Sequence, residues 1–221
     1  MEFDEVIRTT FAAREFTDDP VPDEVLYRIL ELARFAPSGG NRQGAHVTVV
    51  REQQTKTRIA DLSKPAARRY LAQRHAGEGP WNPVYPTVVT AADEEAVTGV
   101  NGFVAPLIKA PVLLVVTVDL GVVAATDQDL DRTGLVGGAS IYPLVWNILT
   151  TARSFGFGGT ITSMAVSQEP EMRALLGFPD THALAAVLPV GKPVKQLTKL
   201  RRAEVSEFVS HERFDGAPFA G

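Results

Sequence analysis

The chain has 221 residues, 45% of them hydrophobic and 22% charged, with a formal net charge of −4. A chain of this length buries about 70% of its unfolded surface, which is enough for one sizeable core. Its 26 acidic residues outnumber the 22 basic ones, which argues against a nucleic-acid-binding protein because such proteins carry a net basic face. The absence of cysteine excludes disulfides, thiolate nucleophiles, iron–sulfur clusters and cysteine zinc sites.

The sequence gives no sign of export or membrane insertion. Residues 1–5 are acidic and lack the basic and apolar regions of a secretory signal. The longest apolar runs, such as residues 110–118, are too short to span a bilayer as a helix. These features predict a soluble, cytoplasmic protein with no membrane partner.

The first fifty residues predict two helices, a loop and a strand. Apolar residues at helical spacing predict a helix over residues 3–11. A second helix is predicted from Pro22 to about Ala36, because the following proline disfavours helical backbone before it. The polar residues 38–44 predict a loop, and the β-branched residues 46–50 predict a strand.

The middle of the chain is harder to interpret. Within residues 64–104, the sequence predicts a basic surface helix over residues 64–75 and a proline-punctuated loop over residues 81–86. Residues 112–118 predict a buried strand. Residues 134–155 predict a long apolar helix that Pro143 either begins or kinks.

The C-terminal part predicts one more helix and one more strand. Residues 171–176 indicate a short helix and residues 183–190 a buried strand, whereas residues 191–221 show no clear core face. The strands are too few and too irregularly spaced for a Rossmann alternation. The sequence therefore predicts a single α+β domain.

Several common catalytic motifs are missing. Residues 156–161 begin like a dinucleotide-binding fingerprint, but Ile161 stands where the last glycine belongs and the segment follows a predicted helix. The chain has neither a Walker A motif nor a nucleophile elbow. No metal site is predicted, because no two of the four histidines form a helical metal-binding pair; they are His46, His75, His182 and His211.

Two features remain as candidate binding elements. In the loop over residues 36–43, two glycines allow close backbone approach, and Ser38, Asn41 and Gln43 offer hydrogen-bonding groups for a flat heterocycle. The same residue types are typical of an ordinary turn, so composition leaves both interpretations open. The second feature is a set of arginines suited to phosphate, although such residues are also typical of surface charge; they are Arg8, Arg14, Arg201 and Arg202.

Taken in order, several segments of the chain resemble the nitroreductase family. The resemblance covers most of the chain except about residues 64–104. Its segments are Arg14-Glu15-Phe16-Thr17, Pro20-Val21-Pro22, Ala36-Pro37-Ser38-Gly39-Gly40-Asn41-Arg42-Gln43, residues 110–116, residues 147–149 with 156–160, residues 175–179, and residues 191–193 followed by Arg201-Arg202.

The resemblance implies a fold, an assembly and a cofactor. The family consists of FMN-dependent oxidoreductases with an α+β fold, in which helices flank a central mixed sheet. Its members are intertwined homodimers with two flavins at the subunit interface. By this resemblance, residues 1–221 form one domain, residues 64–104 a variable lid or insertion, and residues 192–221 an exchanged tail that wraps the partner subunit. The apolar helix predicted over residues 134–155 would then be a dimer seam.

The resemblance also implies which residues bind FMN. Arg14 matches a basic residue at the ribityl-phosphate or pyrimidine end, where it would stabilise negative charge near N1 of the reduced flavin. The loop residues match those that line the ring, largely from the other subunit, and the tail arginines match those that hold the phosphate. With Arg8 added from its helical position rather than from the resemblance, the predicted set is Arg8, Arg14, Pro37, Ser38, Gly39, Asn41, Gln43, Gly158, Gly159, Thr160, Arg201 and Arg202.

The implied activity is hydride transfer from NAD(P)H through flavin N5 to an electron-poor acceptor such as a nitroaromatic or quinone, in two half-reactions. No catalytic side chain is expected, because the flavin performs the chemistry. Two alternatives stay open. One is an FMN store or sensor with little turnover, and the other is a relative that carries out reductive dehalogenation or flavin fragmentation.

One departure from the family pattern concerns the phosphate. Many relatives carry Arg-Arg-Ser where this chain has Thr10-Phe11-Ala12. Each charge-assisted hydrogen bond lost is worth about 1.5–3 kcal/mol. Arg8, one helical turn away, is the expected substitute. A second departure is Gly44-Ala45, where relatives often have proline and tryptophan, and it predicts a different substrate face.

Overall fold

A computed structural model describes residues 1–219 and shows one α+β unit built around a sheet. The helices are α1 (Phe3–Thr9), α2 (Asp23–Ala33), α3 (Gln53–His75), α4 (Ala91–Ala96), α5 (Asn101–Lys109), α6 (Tyr142–Ser154), α7 (Glu169–Leu176) and α8 (Val205–Phe208). The strands are β1 (Ala45–Val50), β2 (Val112–Asp119), β3 (Gly158–Gly159) and β4 (His182–Gly191). Within residues 1–219, no helix combines the length and apolarity needed to cross a membrane.

The sheet has the order β1-β2-β4-β3, and all of its ladders are antiparallel. This corrects the predicted mixed sheet. Among the described residues, parallel pairing occurs only as an isolated bridge between Ala12 and Gly159. The two inner strands, β2 and β4, are the two apolar runs that the sequence predicts as buried, so that part of the prediction is confirmed.

The sheet divides the core into two layers. Successive side chains of β2 point to opposite faces of the sheet and therefore pack in different layers. Val112, Leu114 and Val116 pack on one face, where α2 and α6 cover the sheet. Leu113 and Val115 pack on the other face, against residues of α3, α5 and α7. Both faces of the sheet are therefore buried, which explains why β2 is apolar at nearly every position.

The helix predicted over residues 64–75 is the second half of the longer and partly buried α3. Ala66, Ala67 and Ala72 are buried, because short side chains let α3 pack closely against α5. The basic residues Arg68 and Arg74 face solvent. The predicted helix is thus confirmed, whereas its earlier start at Gln53 and its buried alanine face were not predicted.

Two other helices are shorter than predicted. The helix predicted over residues 134–155 begins only at Tyr142, with Pro143 in its first turn, where the missing N–H of proline costs nothing. The preceding Val136–Ser140 forms a 3₁₀ turn. The first helix ends at Thr9 because the chain becomes extended at Thr10 before it pairs with β3.

Gly159 lies at the most crowded point of the sheet edge. A Cβ atom there would lie 2.6 Å from the carbonyl oxygen of Pro189 and 3.0 Å from Leu149. We therefore expect Gly159→Ala to lower the free energy of unfolding by about 1–3 kcal/mol, measured by urea denaturation. Gly102→Ala is the control, because its Cβ would meet no atom within 4 Å and alanine is favoured within a helix. Equal stability of both variants would contradict the crowding.

Candidate functional site

An extended N-terminal segment joins two distant parts of the chain. The amide of Ala13 donates to the carbonyl of Gly159 at 3.0 Å, and the amide of Thr17 donates to Lys192 at 2.9 Å. The amide of Val194 donates back to Glu15 at 3.1 Å. Three segments that the sequence motifs single out, around residues 14–17, 158–160 and 191–193, are thus in direct contact.

Arg14 and Thr160 line one cleft of about 190 Å³ beside this junction. The Nη1 of Arg14 donates to the carbonyl of Ala12 at 3.2 Å, and no carboxylate of residues 1–219 lies within 4 Å of its guanidinium. An unpaired guanidinium at a cleft is suited to a ligand that carries negative charge. Residues that the sequence analysis missed also line the cleft, among them Tyr70, Gly102, Phe103 and Ser163.

The missed residues lie in the part of the chain with the weakest sequence signal. Tyr70 and Phe103 stack edge-to-face, with ring centroids 5.1 Å apart, and so join α3 to α5. The signal that could have placed them is the apolar spacing of residues 103–108, which identifies α5. Because α5 was not predicted, the sequence analysis could not place Tyr70 beside the cleft.

A larger cavity of about 500 Å³ adjoins this cleft and shares Tyr70 and Met164 with it. Trp81 forms one wall, under the guanidinium of Arg69 at 4.7 Å from the ring centroid. Trp81 has a left-handed backbone with φ 56°, held by a 3.0 Å hydrogen bond from its amide to the buried side chain of Gln73. Non-glycine residues rarely adopt this conformation, so Trp81 is held in place at a conformational cost.

The loop predicted as a binding element has an unusual backbone. Gly40, Asn41 and Gln43 all have positive φ, of 60°, 54° and 49°. The loop is held by the hydroxyl of Ser38, which accepts from the amide of Gln43, and by the amide of Gly39, which donates to the hydroxyl of Ser140, both at 3.0 Å. Glycine and asparagine adopt this conformation readily, whereas Gln43 adopts it at a conformational cost. The binding role of the loop stays a prediction.

Within one chain the two halves of the predicted site do not meet. Pro37, Ser38 and Gln43 line a separate depression of about 140 Å³ before β1. The start of β1 is level with Ala183 of β4, whereas Gly159 pairs with Val190. The start of β1 and Gly159 are therefore about 23 Å apart along the strand direction. Across the sheet they are separated by three strand spacings, about 14 Å.

The remaining predicted arginines lie on the surface. Arg8 occupies the last turn of α1, and Arg201 and Arg202 lie in the exposed tail. Within the described chain, no carboxylate lies within 4 Å of any of them. The side-chain amide of Gln196 donates to the carbonyl of Thr9 at 2.9 Å and thereby holds the start of the tail against the end of α1.

Thr9 and Thr10 use their hydroxyls within their own helix, donating to the carbonyls of Glu5 at 2.6 Å and Val6 at 2.7 Å. Neither hydroxyl can therefore donate to a phosphate. A further basic residue that the sequence analysis missed, Arg153, is buried at the end of α6 and donates from Nε to Thr9 Oγ1 at 2.9 Å. Unpaired guanidinium groups around α1 and the cleft suit a ligand that carries phosphate.

Comparison with known proteins identifies the family of the chain. A sequence model described as the nitroreductase family matches residues 7–192. The chain belongs to the nitroreductase family. A curated relative, described as NADH dehydrogenase from Thermus thermophilus, is 27% identical over 185 residues, which is 83% of this chain and 82% of the relative. Membership of the family confirms the resemblance seen in the sequence motifs and supports a flavin-type oxidoreductase.

Solved structures share the fold at lower identity. An iodotyrosine deiodinase bound to FMN and 3-iodo-L-tyrosine and a BluB-like flavoprotein from Clostridium difficile 630 each match with TM-score 0.69 and 22% identity. Each match covers 96% of this chain and 100% of the other. The NADPH:FMN oxidoreductase from Vibrio harveyi, solved with NAD⁺, matches with TM-score 0.65 and 19% identity over 94% of this chain and 75% of its own.

Asp127 fixes the segment that carries Ser140 and so supports the loop at Gly39. Its carboxylate accepts from the amides of Leu135 at 2.6 Å and Val136 at 3.3 Å, and from Arg132 at 2.8 Å. The amide of Leu135 contributes most to the lowering of the Asp127 pKa to about 2 from its ordinary 3.8. A carboxyl group whose pKa is lower in the folded protein than in the unfolded chain stabilises the fold at any pH above its unfolded-chain pKa. This stabilisation is lost as the pH falls through the pKa of the folded protein.

We therefore expect Asp127→Asn to lower the melting temperature at about pH 7, with the difference from wild type shrinking as pH falls from 3.8 towards 2. Differential scanning calorimetry across that range measures the effect. The exposed Asp129→Asn is the matched control and should change little. A pH-independent difference would contradict the role given to the carboxylate.

Proposed function

We propose that the protein is an FMN-dependent oxidoreductase that uses NAD(P)H to reduce an electron-poor small molecule such as a nitroaromatic or quinone. The observation that carries the proposal is the cleft that Arg14 shares with Thr160, in a chain whose family is established. Bound FMN would supply the redox chemistry, by accepting hydride at N5 and passing it to the acceptor. The chain itself would bind, orient and shield the cofactor.

The separation of the two half-sites supports a homodimer as the working unit. One chain cannot bring its loop at Ser38 and its cleft at Arg14 to the same ring, whereas a two-fold partner can pair each loop with the opposite cleft. Exposed aromatic residues support the same assembly. Tyr142 and Trp146 are half exposed on α6, and Phe214 in the tail is fully exposed.

Each group of residues has a role in this proposal. Arg14 stabilises negative charge at the pyrimidine end of the ring, and Thr160 borders the ring from the same cleft. Gly158 and Gly159, predicted to contact the flavin, are buried in β3 and do not line the cleft, so their part is to hold Thr160 in position. The cavity walled by Trp81 takes the acceptor and excludes water from the reacting face. Apolar lining of this kind suits a planar organic acceptor better than a strongly hydrated one.

A second candidate activity is reductive dehalogenation or flavin fragmentation, and the lid favours it. Between α3 and α5 the chain carries α4 and an ordered loop around Trp81, which could enclose a substrate. Product analysis with nitroaromatic, quinone and haloaromatic acceptors separates these activities.

The experiment that tests the proposal is an absorbance titration of the purified protein. We expect a yellow protein whose flavin absorbance disappears when NADH or NADPH is added without oxygen, and returns on addition of an acceptor. A yellow protein that neither nucleotide bleaches would instead support the store or sensor interpretation. A colourless protein that takes up no FMN would overturn the proposal.

The tail arginines give a further prediction. Arg202→Ala should weaken FMN retention more than Arg69→Ala, because Arg202 has no acidic partner in the described chain whereas Arg69 stacks on Trp81 in the neighbouring cavity. The measurement is the fraction of FMN that stays bound after dialysis, scored by absorbance. Equal retention by the two variants would refute the assignment of the tail to the phosphate.

A further inference from the structure

The inference below rests on the proposed FMN site and concerns its phosphate end. The Thr10-Phe11-Ala12 segment lacks the two arginines and the serine of many relatives, and the hydroxyl of Thr10 is buried and donates to Val6. Arg8, the expected substitute, is exposed, and an exposed charge contributes little because water screens it. A phosphate at this place therefore needs a cation that the sequence motifs did not identify.

Arg153 has the properties of such a cation. It is only 8% exposed, and no carboxylate of residues 1–219 lies within 4 Å of it. Its Nε donates to Thr9 Oγ1, while its two terminal nitrogens have no protein partner and still touch solvent. A largely buried guanidinium without an anion is unfavourable, so a ligand that supplies the anion would relieve a cost already present.

The surroundings of Arg153 also suit a phosphate. The amides of Phe11 and Ala12 follow directly after α1, and neither has a hydrogen-bond partner among the described residues. Thr9, which accepts from Arg153, also accepts from Gln196 through its carbonyl, so the start of the basic tail reaches the same point. Arg153 and the start of the tail at Gln196 thus both contact Thr9, and two amides without partners in the described chain follow directly in sequence.

A purely structural role for Arg153 makes a different prediction. A cation in the last turn of α6 interacts favourably with the negative end of the helix dipole, without any ligand. That role would make Arg153 important for stability but indifferent to whether a flavin carries phosphate. The two roles therefore separate in a comparison of FMN with riboflavin, which differ only in that group.

We infer that Arg153 is the buried cation that binds the FMN phosphate and takes over the role of the arginines missing from residues 10–12. Its Nε stays on Thr9, and its two terminal nitrogens donate to phosphate oxygens. The guanidinium offers those oxygens two parallel donors, which is the geometry that phosphate prefers.

The test measures the dissociation constants of FMN and riboflavin for the apoprotein by quenching of flavin fluorescence. Arg153→Met should weaken FMN binding about ten- to a hundredfold and leave riboflavin binding unchanged. Arg153→Lys should recover part of the loss, because it restores the charge without the paired donors. The exposed Arg58→Gln on α3 is the control for net charge and should match wild type with both flavins.

The outcomes distinguish this inference from the proposed function. Unchanged FMN binding in Arg153→Met, or equal losses for FMN and riboflavin, would overturn the role of Arg153 while leaving the flavin site intact. Wild-type protein that binds neither flavin would overturn both. If Arg153→Met does not fold, the decisive measurement is the rise in apoprotein melting temperature with inorganic phosphate. The phosphate-induced rise in melting temperature should be smaller for Arg153→Lys than for wild type. An equal rise in the two proteins would overturn the inference.

Discussion

The antiparallel pairing of β2 with β4 is the constraint on which the rest of the molecule depends. It places β1 at one edge of the sheet and β3 at the other, so the loop before β1 and the backbone of Gly159 lie at opposite corners. Both carry sequence features suited to a flavin, and the sheet keeps them apart within one chain. The two features are therefore separated within one chain, and the homodimer proposed above would bring them together.

Hydrogen bonds connect the cleft at Arg14 with the start of the tail. The extended segment after α1 is hydrogen-bonded on one side to Gly159 and on the other to Lys192, and Gln196 returns to Thr9. No side chain fits at Gly159, because the carbonyl of Pro189 and the side chain of Leu149 occupy the space. The sheet edge, the segment that carries Arg14 and the start of the tail are therefore joined by hydrogen bonds.

Some parts of this arrangement could be predicted from sequence and others could not. The inner strands were predictable, because their burial on both faces makes them continuous apolar runs, and so was the glycine-containing loop. The burial of α3 was missed, because its alanines give a weak hydrophobic signal beside many charges. Arg153 was missed because a single arginine in a helix looks like surface charge until its neighbours are known. The dimer, the exchanged tail and the individual FMN contacts remain predictions.

In the proposed dimer, the contact between Gln196 and Thr9 would assign the two ends of the cofactor to different chains. The start of the tail stays with its own chain, close to Arg153, whereas the exposed aromatic residues Phe208 and Phe214 come only later. A phosphate at Arg153 would thus be held by one chain, while the ring would need the loop of the other. Under these proposals, binding of the phosphate and assembly of the ring site would be separable steps, and the Thr10-Phe11-Ala12 segment would affect only the first.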